Sequence, residues 1–275
     1  MTRALLTLAA TAMFGANAAL AANTGSITVW HTPMVLAGSQ STTIHVTVPQ
    51  TTDPIGAANI YVPSGYGVNV SQPAGTSIGT VDATAFARDA GLTLPLNGTV
   101  VTDNPANYTA ASTVCASTPT SQAVWILNLS IATIMLKVPL YVNPTTGPET
   151  SLGAYKLSIC LPPPDVPVGT PGRALQGAQL LDAIFTVNGI FTTPTGGGLL
   201  KWDTLFTPYN PGQGTPNTAG TFEARAFVPL PIILSLQASY KKATKTYTLS
   251  GRMSKGGLPA SGLTSRSPAG PRRRR

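Results

Sequence analysis

The sequence predicts an all-β protein built as an antiparallel β-sandwich, and three observations predict it. Only 9% of the residues are Asp, Glu, Lys or Arg, whereas surface helices of soluble proteins are rich in Glu, Lys and Arg. Turn formers are abundant, with 27 Gly and 25 Pro. β-branched residues recur in short blocks that alternate apolar and polar at period two. Hydrophobic residues make up 43% of the chain, enough for a real core, which argues against a disordered chain.

The elements follow in order. Residues 1–21 read as a signal peptide. Arg3 supplies the positive end, residues 4–20 form an Ala/Leu-rich stretch, and Ala19-Leu20-Ala21 is a small-x-small cleavage site, so the mature chain begins near Ala22. The expected location is therefore secreted, extracellular or in the cell envelope. No later segment approaches the roughly 20 apolar residues of a spanning helix, so no transmembrane helix is expected after cleavage.

The body spans 24–228. In Thr43–Val48, Ile44, Val46 and Val48 share a face, with His45 opposite. In 124–131, Trp125, Leu127, Leu129 and Ile131 face inward. In 134–142, Ile134, Leu136, Val138, Leu140 and Val142 oppose Lys137, Pro139 and Tyr141, and Pro139 marks an edge or a bulge. In 155–161, Tyr155, Leu157, Ile159 and Leu161 share a face. Turn clusters at Pro63-Ser64-Gly65, 143–148 and 162–165 separate the runs. Residues 80–90 fit a short helix or a strand equally. A division into two packed sub-domains near 112–122 is open, and 207–220 reads as a long loop, a type that is usually functional or mobile.

The two cysteines, Cys115 and Cys160, are expected to pair in an oxidising compartment. Closing a loop of about 46 residues contributes about 4 kcal/mol on the loop-entropy account. Cys160 lies opposite the Leu157/Ile159 face, so the bridge should pin an edge and not the core centre.

A composition shift at Pro229-Leu230-Pro231 opens a second unit, 230–264. Leu234–Tyr240 and Tyr247–Met253 read as a β-hairpin with Lys241, Lys242 and Lys245 at its turn. The run from Tyr247-Thr248-Leu249-Ser250-Gly251 to Lys255-Gly256-Gly257-Leu258-Pro259-Ala260-Ser261-Gly262 resembles the opening of an Ig-like or carboxypeptidase-regulatory-type module of secreted bacterial proteins. The body, through Cys160-Leu161-Pro162-Pro163-Pro164-Asp165 and the 207–225 segment, resembles uncharacterised secreted bacterial β-sandwich proteins. These resemblances imply an Ig-like or jelly-roll-like body followed by an incomplete Ig-like module. From Ser265 the module pattern stops. Residues 265–275 then read either as out-of-frame translation of GC-rich DNA or as a disordered basic tail that holds polyanions through Arg272, Arg273, Arg274 and Arg275.

Charge is divided sharply. Residues 24–235 carry six Lys/Arg and all nine carboxylates, whereas residues 236–275 carry ten Lys/Arg and no acid. The body is thus slightly acidic and offers no nucleic-acid footprint.

The chemistry is sparse. Gly75-Thr76-Ser77-Ile78-Gly79 fits G-x-S-x-G, but both histidines, His31 and His45, precede Ser77, against the order a nucleophile elbow needs. Phosphate-loop, dinucleotide and zincin motifs are absent. Singly scattered His and Cys make no zinc set, and no Asp-rich loop suits calcium. No cofactor or metal is expected. Trp202 and Tyr209, beside the long loop, are the candidate ligand-binding residues. The expected function is a non-catalytic binding, adhesion or structural module, with a cell-wall or extracellular glycan or protein as partner. A secreted hydrolase working through paired carboxylates and polyanion binding by the Arg-rich tail are the alternatives.

Overall fold

The computed structural model describes residues 23–131, 134–255, 258–259 and 263–268, with side-chain surroundings as far as residue 250 apart from 131 and 233–235. The expected signal peptide (1–21) and Arg272–Arg275 lie outside the described residues.

The body is antiparallel β throughout. Its strands are β1 (Ser26–Thr32), β2 (Ser39–Thr47), β3 (Ile55–Val62), β4 (Gly67–Val68), β5 (Ser77–Ala87), β6 (Leu92–Asp103), β7 (Ala123–Ile131), β8 (Ile134–Pro144), β9 (Tyr155–Cys160), β10 (Ala178–Thr192), β11 (Gly198–Pro208) and β12 (Phe222–Leu230). Among the described residues one α-helix, α1 (Thr109–Ala116), interrupts them. They form a single ladder in the order β1-β2-β10-β5-β6-β7-β8-β9-β3-β11-β12, with β4 added to β10. β1 and β12 come side by side, although no ladder joins them among the described residues. The result is one nearly closed, barrel-like sheet where two facing sheets were expected. Register shifts supply the curvature. They fall at Ser77/Gly79, Leu180/Asp182, Asn188/Phe191 and Thr207/Pro208, and each bends its strand. Gly79 shows the local requirement, since a Cβ there would sit 1.9 Å from the Thr186 carbonyl oxygen.

Alternation decides which side chains fill the interior. Ile44, Val46, Trp125, Leu127, Leu129, Leu140, Val142 and Leu157 are all buried in the main core, as their period-two spacing predicts. Residues 80–87 resolve as strand, in β5, and 88–90 form the turn that follows. β6 and β7 pair directly on either side of residues 112–122, which form an excursion between them. Within that excursion α1 covers the outer face of the barrel. Tyr141, Val124 and Ile126 are buried beneath Ala116, Cys115 and Tyr108, so Tyr141 is covered although it points away from the lumen. The Cys115–Cys160 disulfide forms and fastens α1 to the end of β9.

The second sheet comprises β13 (Ile233–Lys241), β14 (Thr246–Lys255), β15 (Leu258–Pro259) and β16 (Leu263–Pro268). Tyr240 pairs with Tyr247 across the hairpin. The turn closes through Lys245, in the left-handed region at φ 50°. β16 pairs along β14 from Leu263 to Pro268.

Candidate functional site: the barrel lumen

The two ends of the barrel interior differ. Register brings His31, Tyr66, Trp125, Phe191 and Trp202 to one end, where they form a continuous aromatic plug. Ring centroids lie 5.5 Å apart for His31–Tyr66, 5.4 Å for Tyr66–Trp202, 5.6 Å for Trp202–Phe191 and 6.2 Å for Phe191–Trp125. The last three contacts are edge-to-face, the arrangement that ring quadrupoles favour. His31 is held on both nitrogens, by Thr42 Oγ1 at 2.9 Å and Tyr66 Oη at 2.8 Å. Burial pushes its pKa down to about 4 and pushes that of Tyr66 up to about 12, so both side chains are neutral at pH 7.

The other end is hollow. An inner cavity of about 60 Å³ is lined only by apolar side chains and presents no polar surface. An outer cavity of about 180 Å³ adjoins it, and Ile55, Leu129, Val138, Leu161 and Leu180 line both. The cause of the void is local. Ala58, Ala83 and Ala183 project toward the inner cavity, and Ala85, Ala174 and Ala178 toward the outer one. Barrel walls set at strand spacing leave space wherever small side chains face one another.

The mouth also has a local cause. β8 pairs with β9 only over Leu140–Pro144, so Ile134–Pro139 run on without a β9 neighbour. Pro139, which has no N–H to donate, stands at the last level before that pairing begins. The gap is crossed by a proline-rich strap, residues 161–177, which contributes Leu161, Pro162, Pro164, Ala174 and Leu175 to the outer cavity. Backbone bonds tie both ends of the strap, from Leu161 to Gly56 and from Asp89 and Arg88 to Gln176 and Gly177, and three ties through side chains add to them. Tyr209 Oη donates to the Leu161 carbonyl at 2.5 Å. The Gly212 N–H donates to Asp165 Oδ2 at 2.8 Å. Arg173 donates twice to Asp89, at 2.8 and 2.6 Å. That guanidinium holds the Asp89 carboxyl below its ordinary pKa. Lys137 and Gln179 are the polar residues on the outer cavity. Leu92, Ile134, Met135, Val168 and Leu175 are exposed apolar side chains on the elements that carry the mouth and strap.

The residues chosen from sequence take other places. Trp202 is fully buried in the plug, and Tyr209 is 8% exposed, its ring packed over Gly56. Neither ring offers an open face for stacking. The 207–220 loop lines neither cavity; through Gly212 and Gly214 it props the strap. Ser77 opens β5, beside a register shift. Most of the carboxylates are engaged. Asp182 meets His45 at 2.6 Å, Glu149 meets Lys156 at 2.8 Å, Asp203 meets Lys201 at 2.7 Å and Glu223 meets Arg225 at 2.6 Å. Asp53 is tied to Asn23 and Asp103 to Tyr108. No Asp or Glu lines either cavity. Among the described residues no group of three His, Cys, Asp or Glu is placed to hold a metal ion.

The lumen itself was missed at the sequence level. The available signal was Val81-Asp82-Ala83-Thr84-Ala85-Phe86-Ala87, a strand whose inward row shrinks to alanine. Comparison with family models, with curated proteins and with solved structures gives no significant match.

Proposed function

We propose that this is an exported, non-catalytic binding protein whose lumen shelters the apolar chain of a small amphiphilic ligand. The observation that carries the reading is the pair of adjoining apolar cavities at the end of the barrel opposite the aromatic plug. Small-molecule sites are typically concave and mostly apolar, with a few polar groups at the opening. Here the inner space is apolar, and Lys137 and Gln179 stand at the outer one. A ligand bound this way keeps its tail inside and its polar head at the gap between β8 and the strap. The leader at residues 1–21 and the Cys115–Cys160 bridge support an oxidising, extracytoplasmic setting. The second sheet is read as the first strands of an Ig-like module appended to this carrier.

Titration with a fluorescent long-chain fatty acid tests the proposal. Saturable one-to-one binding is expected, competed by unlabelled fatty acid and weakened by enlarging Ala85 to Leu, which fills the outer cavity. Binding that is absent, or that the folded Ala85→Leu variant leaves unchanged, overturns it.

A further inference from the structure

The second sheet carries a face that nothing in the described molecule covers. Alternation and register put Leu236, Ala238, Tyr240, Tyr247 and Leu249 on one side of the β13–β14 hairpin. Leu236 is 66% exposed, and Tyr240, Tyr247 and Leu249 are close to half exposed. The two tyrosine rings lie against one another, with centroids 4.6 Å apart. The opposite side of the hairpin carries Gln237, Ser239, Thr248 and Ser250. Lys241, Lys242 and Lys245 are exposed at the tip, and none of them has an ion-pair partner among the described residues. Residues 236–275 contain no carboxylate at all.

We propose that this hairpin docks on an anionic phospholipid surface, with the Leu/Tyr face in the headgroup–acyl boundary and the lysine tip among the lipid phosphates. Charge and apolarity together select this occupant. A soluble polyanion would satisfy the lysines and leave Leu236 and Leu249 in water. A second copy would offer the barrel, whose carboxylates are for the most part already held by Arg173, His45, Lys156, Lys201 and Arg225. A bilayer interface supplies both halves. Tyrosine prefers the headgroup level, where one end of the ring is apolar and the other wet. Basic side chains near an anionic surface each add to the attraction. This proposal is independent of the lumen reading, because it rests on a separate sheet.

The test is co-sedimentation of the full chain with vesicles of phosphatidylcholine alone and of phosphatidylcholine mixed with phosphatidylglycerol. Partitioning onto the anionic vesicles is expected, falling as salt rises. The triple variant Lys241→Gln/Lys242→Gln/Lys245→Gln should lower it about 200-fold, from roughly a sixfold loss per lysine. Leu236→Ser and the double variant Tyr240→Ser/Tyr247→Ser should each lower it about tenfold, with the circular dichroism of the chain unchanged. A control with Arg272–Arg275 replaced by Gln should keep the dependence on the hairpin. The proposal fails if the lysine variant partitions like the parent, or if only the arginine control loses binding. It fails equally if the Leu and Tyr variants bind fully while heparin competes as well as lipid. A dimer in light scattering that the Tyr variants split would assign the face to self-association instead.

Discussion

Ala83→Val gives the most direct reading of the void in the barrel. Ala83 is buried at 6% exposure, sits mid-strand between Leu96 of β6 and Ala183 of β10, and lines the inner cavity. Valine adds two carbons and suits a strand. With about 60 Å³ of apolar space beside it, both carbons can enter the void. At about 0.8 kcal/mol per buried methylene the gain approaches about 1.6 kcal/mol. For a domain of this size that raises the melting temperature by roughly 3–6 °C. Ala226 is the control. It is equally buried, pairs with Trp202 at the plugged end, and lines neither cavity. Ala226→Val should overpack and cost about 1–3 kcal/mol. Thermal unfolding of both variants, followed by circular dichroism, reads the contrast, and the fatty-acid titration should show weaker uptake by Ala83→Val alone. If both variants are destabilised alike, the interior is filled throughout and the carrier reading loses its basis.

Three further outcomes follow from the same geometry. Cys160→Ser removes a crosslink between residues 45 apart in sequence and should cost about 4 kcal/mol; a loss below about 1 kcal/mol in urea unfolding would mean that α1 stays docked without the bridge. Above pH 6.5 His31 is neutral in both the folded and the unfolded chain. Between pH 6.5 and about 4 the unfolded chain takes up a proton that the folded one refuses, so stability should fall by about 3 kcal/mol over that window and then level off in this component. The urea midpoint of His31→Gln should lack that component, and an identical pH profile in the variant would place the acid sensitivity elsewhere. Arg173→Gln removes the tie between the strap and the Asp89 carboxylate and leaves the backbone bond from Asp89 to Gln176; stopped-flow release of the fluorescent fatty acid should accelerate with little change in unfolding, and an unchanged off-rate would remove this tie from the exit route.

Strands were legible because each records its own burial. The Ile44/Val46/Val48 and Trp125/Leu127/Leu129 rows follow from period two alone, and the β13–β14 hairpin follows from two alternating runs with lysines between them. Closure into a barrel was not legible, because it depends on register shifts such as the one at Leu180/Asp182, which no composition records. α1 was invisible for another reason. Thr109-Ala110-Ala111-Ser112-Thr113-Val114-Cys115-Ala116 has weak helix propensity and no clear apolar stripe, and it owes its place to the disulfide and to packing on Tyr141. Trp202 and Tyr209 looked like binding residues because they stand beside a long loop. A strand-borne Trp on the inward row is spent on packing. The alanines that line the two cavities carry no chemistry that a motif search would notice.

The ladder that stops between β1 and β12 has a topological meaning. Eleven strands paired in strict antiparallel succession must leave the first and the last pointing the same way. An antiparallel closure is therefore ruled out by parity, whatever the side chains along that line. Along that line β1 and β12 lie side by side with no ladder between them among the described residues, so the seam rests on side-chain packing. Where this wall lacks an antiparallel ladder is thus set by one odd number in its connectivity.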